Sequence, residues 1–593
     1  MVREFTEAGV VGVGTMGVGI VEVLARAGLT VRGVEVDEVA AAAARARLSA
    51  SLERAVAGGK LAAEERDAVL GRVTIGSDLA DLASVDLVTE AVPEVFALKA
   101  EVLAAVAGIV GPETVLATNT STLSVTELAV ASKRPARVVG LHWFNPAPVM
   151  KLVEVVKTPL VDADVVEDVA ALAERAGKKA VVVGDRAGFV ANALLYGYLN
   201  NAVGMLEATY ASRDDIDAAM RFGCGHPMGP LALLDLIGLD SAYAILNALY
   251  NQTRDHLHAP SPLIKQLVTA GRLGRKTGHG FYRYAEPGSP TVVADPAAAE
   301  AGAPAAEPRE VRTIGVVGTG TMASGIIEVC AKSGYQVVFR ARGEDKVEAV
   351  RARVTASLDK AVARGKLAAE VRDEVLGRIT GTTEIAGLAD VDLVIEAVVE
   401  DLAVKKALFA ELDAVVKPGA VLATTTSSLP VIECAMATTR PADVIGMHWF
   451  NPAQVMKLVE IVPTVLNTPD VVATVRAVCA KTKKHPVVCG DRAGFIVNAL
   501  LFPYLNDAVR MLEEHYADID EMDTVMTLGC GHPMGPFALI DVVGLDVTLA
   551  IQQTLFDEFR EPGLAPAPSL GHLVEAGYLG RKTKRGFRDY AKR

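Results

Sequence analysis

The sequence predicts a doubly wound α/β sheet domain followed by an all-α C-terminal domain, with this pair repeated twice in tandem. Short apolar runs alternate with helical periodicity in the first part of each repeat, and the strand signals then disappear. The copies are recognised from segments that return 306 positions later, as Gly12–Ile20 (GVGTMGVGI) does at Gly318–Ile326 (GTGTMASGI). The chain of 593 residues is therefore predicted to contain four domains, arranged as two copies of one pair.

The elements of copy one follow in order. An apolar run before Gly12 predicts a first strand, TMGVGIVEVLARAG a helix, and LTVRGVEVD a second strand. The Ala-rich, charged stretch Val39–Gly71, broken at AGGK, predicts a helical hairpin. Further strands are predicted at VDLVTEAV, TVLATNTS, ARVVGLHWF, KLVEVVK and KKAVVVGD, which together favour a parallel sheet. After GDRAGF, helical periodicity alone continues to about Tyr284.

These patterns place the domain boundaries in both copies. A Pro- and Ala-rich segment separates the copies and is typical of a semi-extended linker. The predicted units are a sheet domain at 1–186, a helical domain at 187–285, the linker at 286–310, a second sheet domain at 311–492 and a second helical domain at 493–593.

Composition excludes several classes of protein. Hydrophobic residues make up 51% of the chain and the net charge is −13, which argues against disorder and against non-specific nucleic-acid binding. The uncharged stretch Ala187–Leu206 has the length of a membrane span, but Asn201 and Gly204 within it correspond to Asp507 and Arg510 in copy two, so we predict a buried helix. Six cysteines without a CxxC pair, and no secretion signal in the N-terminal residues, favour a cytoplasmic protein without a metal site.

A glycine-rich turn in copy one predicts a dinucleotide site. Gly12, Gly14 and Gly17 stand between a strand and a helix, where glycines let the backbone approach a pyrophosphate held by the helix N-terminus. Glu35 ends the second strand and is placed to accept hydrogen bonds from ribose hydroxyls. We therefore predict that copy one binds NAD.

Copy two departs from this pattern at the ribose. The residue equivalent to Glu35 is Ala341, between Arg340 and Arg342. An arginine here suits a 2′-phosphate, so copy two either binds NADP or has drifted and binds a dinucleotide poorly. Its cofactor is predicted to be NAD or NADP. The turn itself contains Gly318, Gly320 and Ala323.

A histidine and a glutamate form the second constellation. HWFNP ends one strand and KLVEVV begins the next, so His142 and Glu154 can face each other. A carboxylate behind an imidazole fixes its tautomer and raises its basicity, as a general base requires. Of the ten histidines, only His142 and His226 recur at the 306-residue offset. We predict packing or capping for His226, which lies in CGHPMGP.

The ordered motifs GxGxMGxGI, ATNTS, HWFNPxxVMxLVEV, GFVxNxLL, GHPMGPLxLxDLIGLD and GRKTGxGFYxY resemble the L-3-hydroxyacyl-CoA dehydrogenases. The resemblance covers about Ala8–Tyr284 and Arg312–Tyr590. It implies reversible hydride transfer between a nicotinamide cofactor and the 3-hydroxyl of an acyl-CoA, which we expect to be short, such as 3-hydroxybutyryl-CoA or acetoacetyl-CoA.

The resemblance also implies roles for individual residues. His142 would be the base, Glu154 would orient it, and Asn192 and Ser121 would hydrogen-bond the substrate oxygen or its neighbours. Four residues would line the cofactor: Glu94, Lys99, Asn119 and Asn145. The matching catalytic residues of copy two are His448, Glu460, Asn498 and Ser427, and its cofactor-lining residues are Glu400, Lys405 and Asn451. Thr425 replaces Asn119 in copy two, which would weaken nicotinamide binding.

The helical hairpin is implied to contact coenzyme A, because a basic cluster there would bind its phosphates. The alternative is a solvated helix face. The comparison suggests that copy one is better suited to NAD and copy two to acyl-CoA phosphates. The candidate residues are Ser51, Arg54 and Lys60 in copy one, and Ser357, Lys360, Arg364 and Lys366 in copy two.

Members of this family usually dimerise through the helical domain, so we expect the two copies to pair within one chain as a pseudo-dimer, with further homo-oligomers also open. Two rival hypotheses stand beside this one. In the first, copy two is a non-catalytic dimer partner. In the second, the protein is a hydroxy-acid dehydrogenase that does not use coenzyme A.

Overall fold

The computed structural model describes residues 3–294 and 306–591. Residues 295–305 of the predicted linker lie outside the described residues.

Each copy begins with a sheet of eight strands. The strands of copy one are β1 (Glu7–Val11), β2 (Thr30–Val34), β3 (Val73–Gly76), β4 (Leu87–Glu90), β5 (Val115–Thr118), β6 (Val138–Trp143), β7 (Leu152–Lys157) and β8 (Lys179–Gly184). Those of copy two are β9 (Thr313–Val317), β10 (Gln336–Arg340), β11 (Ile379–Thr382), β12 (Leu393–Glu396), β13 (Val421–Thr424), β14 (Val444–Trp449), β15 (Leu458–Val462) and β16 (His485–Val488).

Helices cover the sheets and form the second domain of each copy. Copy one has α1 (Thr15–Arg26), α2 (Glu38–Ala57), α3 (Ala63–Gly71), α4 (Phe96–Ile109), α5 (Val125–Ala131), α6 (Ala163–Arg175), α7 (Ala191–Glu207), α8 (Arg213–Gly223), α9 (Pro230–Ile237), α10 (Leu239–Thr253) and α11 (Pro262–Thr269). Copy two has α12 (Thr321–Lys332), α13 (Glu344–Ala363), α14 (Ala369–Gly377), α15 (Leu402–Val415), α16 (Val431–Ala435), α17 (Pro469–Lys481), α18 (Val497–Glu513), α19 (Ile519–Gly529), α20 (Pro536–Val543), α21 (Leu545–Phe559) and α22 (Pro568–Glu575).

The predicted fold class is confirmed, because each copy has a doubly wound sheet followed by helices alone. The strand order in copy one is β3-β2-β1-β4-β5-β6-β7-β8. Strands β4, β5 and β6 are buried along their whole length, as expected where helices cover both faces. The predicted hairpin of Val39–Gly71 is α2 and α3, and Asp37 begins it by accepting a hydrogen bond from the Ala40 N–H at 2.7 Å.

Two details differ from the prediction. The sheet is not wholly parallel, because β6 and β7 pair antiparallel, with His142 directly opposite Glu154. Antiparallel neighbours need only a short connection, and the segment between them holds no crossover helix. The four-residue strand β3 was missed, because VTIG is too short to show a periodicity.

The helical domains of the two copies pack on each other through α7 and α18, and their apolar side chains form one continuous core. Polar contacts cross this boundary in both directions. Tyr210 donates to the Gly490 carbonyl at 2.6 Å, and Tyr516 donates to the Gly184 carbonyl at 2.7 Å. At the centre of the boundary the His226 and His532 rings stack with centroids 4.1 Å apart.

Within the described ranges, no single helix has both the length and the apolar composition needed to cross a membrane. Two sharply bent helix pairs, α9 with α10 and α20 with α21, reach the required length and composition together.

Candidate active site

His142 and Glu154 form a buried hydrogen-bonded pair at the ends of β6 and β7. The His142 Nδ1 atom lies 2.7 Å from Glu154 Oε2, and the Glu154 side chain is fully buried. The other oxygen, Oε1, accepts the backbone N–H groups of Val190 and Ala191, both at 3.1 Å, where α7 begins. The hydrogen bond to this carboxylate orients the imidazole with Nδ1 towards Glu154 and Nε2 outward.

The outward Nε2 atom of His142 faces Ser121, whose Oγ lies 3.3 Å away. The rings of Phe144 and Phe189 pack against the imidazole at centroid distances of 4.8 and 5.4 Å. Asn192 stands in the first turn of α7, the same turn that binds the Glu154 carboxylate. The structure thus brings His142, Glu154 and Ser121 into direct contact and places Asn192 beside them.

Glu94 holds the loop that carries Ser121. Its Oε1 atom accepts the Ser121 N–H at 2.8 Å and the Thr120 hydroxyl at 2.6 Å. Burial acts to raise the pKa of Glu94, but Lys99 and these hydrogen bonds outweigh it and lower the pKa. Lys99 is 1% exposed and donates to Glu90 at 2.8 Å, so it reaches the cleft only through Glu94, which lies 3.3 Å away.

The glycine turn of copy one fits a dinucleotide. Gly12 has a φ of +83°, and an added Cβ would lie 2.9 Å from the Ala91 backbone. A Cβ on Gly17 would lie 1.9 Å from the Gly12 carbonyl oxygen, whereas one on Gly14 would meet nothing within 4 Å. The start of α1 carries no side-chain cap, so its N–H groups remain for a phosphate. Glu35 accepts the Val13 N–H at 2.8 Å, beside the place expected for the ribose.

The same turn in copy two is altered by Ala323. Its methyl group occupies the space that Gly17 leaves in copy one, and Gly318 has a φ of +140°. The hydrogen bond from the Gly318 N–H to the Arg340 carbonyl measures 3.4 Å, against 2.9 Å for its counterpart from Gly12. Ala341, at the position of Glu35, is buried, and the next residue, Arg342, is exposed, so copy two lacks the carboxylate and has a cation beside its position.

The other cofactor candidates lie around the ends of the same strands. Asn119 accepts the Trp143 N–H at 2.9 Å, which fixes the strand that carries His142. In the described part of copy two, Thr425 makes no such bond to Trp449. Asn145 is exposed and lines a cavity of about 730 Å³ between α1, α2 and the loop after β6.

That cavity also contains the predicted coenzyme A residues of copy one. Ser51, Arg54 and Lys60 line it, and the Ser51 hydroxyl donates to Glu22 at 2.7 Å. The equivalent residues of copy two lie on α13 and in the turn that follows it. Ser357 is half-buried, and Lys360, Arg364 and Lys366 are exposed.

Lys178 is a site-supporting residue that the sequence interpretation missed. Its Nζ atom donates to the Ala147 and Met150 carbonyls, both at 2.7 Å, and so holds the loop that follows His142. Burial lowers the pKa of Lys178. Lys484 makes the equivalent bonds in copy two, so recurrence at the 306-residue offset, which also marks His142 and His226, is the sequence signal for this lysine.

Copy two keeps the central pair. His448 Nδ1 lies 2.7 Å from Glu460 Oε2, and Glu460 Oε1 accepts the N–H groups of Ile496 and Val497 at 3.0 and 2.9 Å. The loop around the pair is arranged differently. The Ser427 hydroxyl donates to Glu400 at 3.3 Å, and the Asn498 amide donates to the Ser427 carbonyl at 3.4 Å. Glu400 and Lys405 repeat the contact of Glu94 with Lys99, at 3.3 Å. Asn451 follows Phe450 at an exposed position, as Asn145 follows Phe144.

Across the two described ranges, no three His, Cys, Asp or Glu side chains gather in a way that could hold a metal ion.

Sequence models of one enzyme family match nearly the whole chain. The model described as 3-hydroxyacyl-CoA dehydrogenase, NAD binding domain, matches residues 7–186 and 313–492. The model of the C-terminal domain of the same family matches residues 188–284 and 494–590.

Individual relatives agree with this match. A 3-hydroxybutyryl-CoA dehydrogenase of Mycobacterium tuberculosis is 46% identical over 282 residues, which are 47% of this chain and 99% of the relative. The mitochondrial hydroxyacyl-coenzyme A dehydrogenase of Homo sapiens is 39% identical over 47% of this chain and 91% of its own length. A solved 3-hydroxybutyryl-CoA dehydrogenase structure from Escherichia coli covers 97% of this chain and 100% of its own, with 27% identity and a TM-score of 0.69.

Proposed function

Because the chain belongs to the 3-hydroxyacyl-CoA dehydrogenase family and carries both of its domains twice, we propose that it interconverts a short-chain 3-hydroxyacyl-CoA and the 3-oxoacyl-CoA, such as 3-hydroxybutyryl-CoA and acetoacetyl-CoA. The family is one of NAD-dependent oxidoreductases. The proposed chain length rests on the relatives, several of which are described as 3-hydroxybutyryl-CoA dehydrogenases. The observation that carries the chemistry is the buried hydrogen bond between His142 and Glu154.

In copy one, each residue of the site has its own role in the proposed reaction. A nicotinamide dinucleotide, when bound, supplies the acceptor for the hydride that leaves the carbinol carbon. His142 Nε2 takes the hydroxyl proton as the carbonyl forms, and Glu154 stabilises the resulting imidazolium. Ser121, 3.3 Å from Nε2, hydrogen-bonds the reacting oxygen and positions it for proton transfer. In the reverse direction the imidazolium returns the proton.

We propose different cofactor preferences for the two copies. In copy one, Glu35 lies beside the glycine turn, where it accepts ribose hydroxyls and repels a 2′-phosphate, which favours NAD. In copy two, the loss of this carboxylate and the exposed Arg342 favour NADP. The distorted turn around Gly318 supports the competing hypothesis, in which copy two binds either dinucleotide weakly.

Steady-state kinetics test the substrate and the cofactors together. We expect kcat/KM to be highest for the four-carbon acyl-CoA among short-, medium- and long-chain substrates. In a His448→Ala chain, which reports on copy one, NAD should be preferred by at least about tenfold, or about 1.4 kcal/mol. In a His142→Ala chain, NADP should be preferred. Turnover of a free hydroxy acid but of no acyl-CoA would contradict the proposal.

We further propose that the two copies act as an intramolecular pseudo-dimer. The support is the continuous apolar core through α7 and α18 and the reciprocal hydrogen bonds of Tyr210 and Tyr516. A linker between the copies makes their local concentration high, so pairing within one chain competes well with pairing between chains.

Acid sensitivity is the expected signature of this pairing. Burial lowers the pKa of His226 to about 4, and burial with the neighbouring His226 lowers that of His532 to about 3, both from an ordinary value of 6.5. The unfolded chain therefore binds protons more readily than the folded one. Stability is complete above pH 6.5 and falls below it, by roughly 1.4 kcal/mol per histidine and pH unit until the folded pKa is reached.

Calorimetric unfolding across this acid range measures the loss, with the His226→Phe/His532→Phe chain as the matched control. The control should lose less stability on acidification, because phenylalanine keeps the stacked packing and takes up no proton. Parallel losses in both chains would show that the histidines are solvated and that the copies do not pair through this surface.

A further inference from the structure

A second cavity, of about 460 Å³, lies where the two copies meet on the copy-one side. Its walls are the segment between β8 and α7, the end of α10 with the turn that follows, and one face of α18. Among the residues that line it are Arg186, His258, Asp507, Arg510 and Glu514. None of these residues belongs to the catalytic pair or to the predicted coenzyme A residues.

The two copies differ systematically around this cavity. On the copy-one side Gly197, Thr253 and His258 stand where copy two has Pro503, Phe559 and Leu564. Each copy-one residue is smaller or more polar than its counterpart. At the equivalent place on the copy-two side, Leu564 is buried, and Arg492 lies over the Tyr210 ring at 3.7 Å and the Phe559 ring at 5.3 Å. The fold therefore does not require an open, polar cavity at this position.

The facing helices differ in the same sense. Helix α18 and the residue after it bring Asp507, Arg510 and Glu514 to the cavity, whereas α7 and the residue after it carry Asn201, Gly204 and Ala208 at the equivalent positions. The charges on this facing helix are thus present on one side of the duplicated surface only. The other side packs without these charged side chains, so packing does not require them and the asymmetry points to a ligand.

In the described residues, two polar groups of the cavity each have an atom without a hydrogen-bond partner. The Asp507 carboxylate accepts no hydrogen bond, and burial raises its pKa to about 7 against the opposing effect of the nearby Arg510. His258 uses Nδ1 on the Thr253 hydroxyl at 3.0 Å, which leaves Nε2. The Asp507 Oδ2 and His258 Nε2 atoms lie 3.7 and 3.4 Å from the point where a Gly197 side chain would begin, so the missing side chain opens the space between them.

The remaining charges favour a cationic ligand. Four carboxylates and two guanidinium groups line the cavity, and all of them except the Asp507 carboxylate have a hydrogen-bond or ion-pair partner. Arg186 pairs with Glu514, and Arg510 donates to the carbonyls of Pro562 and Ala565 at 3.2 and 2.9 Å. We propose that this cavity binds a small organic cation, an alkylammonium or alkylguanidinium group, whose N–H donors bind Asp507 with His258 beside it.

The cavity is connected to the catalytic pair of copy one by a short segment. Asp185 accepts the N–H groups of Val125 and Thr126 at the start of α5, and Arg186 is followed closely by Val190, whose N–H binds Glu154. Only an effect of the bound cation on catalysis would rest on the proposed function. Binding of the cation does not depend on that function, so the test measures binding.

The experiment is isothermal titration of the full chain with n-butylguanidine and n-butylamine at pH about 8, where Asp507 is ionised. n-Butanol is the neutral control. Two variants each insert the residue that the equivalent position already carries in this fold, Asp507→Asn as at Asn201 and His258→Leu as at Leu564. We expect saturable binding of both cations, weakened at least about tenfold by either variant, and a higher thermal midpoint with the cation.

The inference is overturned if neither cation binds saturably, if both variants bind as the parent does, or if n-butanol binds as well as the cations. Unchanged kcat with saturable, Asp507-dependent binding would still support the site. If the parent chain showed no dehydrogenase activity, the proposed function would be contradicted, and the titration would still test the binding site.

Discussion

Replacing both His142 and His448 with alanine is expected to lower kcat by about 10²–10⁴-fold with little change in KM. Each imidazole binds a buried carboxylate through Nδ1, which leaves Nε2 to take the hydroxyl proton, and alanine removes that base. The loss should appear in both reaction directions, because the same group returns the proton in the reduction. Initial rates with saturating cofactor measure it.

The single variants measure how much of the activity each copy contributes. If both copies are catalytic, His142→Ala and His448→Ala each retain part of the parent rate, and the retained parts sum to the whole. If copy two is only a structural partner, His448→Ala retains the full rate. The matched control is His226→Phe, which changes a histidine that also recurs in both copies but lies at their boundary. A double variant with parental kcat would refute the assignment of the base.

Replacing Lys99 with methionine is expected to destabilise the sheet domain of copy one by about 3–5 kcal/mol. The side chains of Lys99 and Glu90 are 1% and 0% exposed and lie 2.8 Å apart. Removing the lysine therefore leaves a buried carboxylate without a counter-charge. Its remaining donors are the Thr118 hydroxyl at 2.7 Å and the Val92 N–H at 2.6 Å. Denaturant unfolding followed through the first transition measures the loss.

The repeat provides two controls for this prediction. Lys405→Met in copy two should cost about the same, because Lys405 lies 2.8 Å from Glu396 in an equally buried pair. Glu90→Gln combined with Lys99→Met should recover most of the loss, since the amide needs no counter-charge. If the double variant were as unstable as Lys99→Met alone, lost packing rather than an uncompensated buried charge would explain the effect.

Part of the active site could be predicted from sequence because local chemistry determines it. The Pro-containing turn between two apolar runs predicted that His142 and Glu154 face each other, and they are directly opposed. Strand β3 and the antiparallel pairing of β7 could not be predicted, since four residues carry no periodicity and strand direction depends on the route of the chain. The cavity beside Asp507 was equally inaccessible, because its walls come from segments that are distant in sequence.

The resemblance to a family predicted which residues gather, but not how they support one another. Lys99 was expected to line the cofactor, yet it lies beneath Glu94 and reaches the cleft only through that side chain. Lys178 was overlooked, although it recurs in copy two, because a lysine at the start of a strand has no motif of its own. Burial decides these roles, and burial follows from tertiary packing.

The hydrogen bonds received by Glu154 have a mechanical consequence. The carboxylate stands on β7, in the sheet domain, whereas its two N–H donors, Val190 and Ala191, stand at the start of α7, in the helical domain. A hinge opening between the domains would withdraw both donors from Glu154, while its hydrogen bond to His142, which joins two strands of the same sheet, would remain. The carboxylate behind the imidazole is therefore also a point of attachment between the sheet domain and the helical domain.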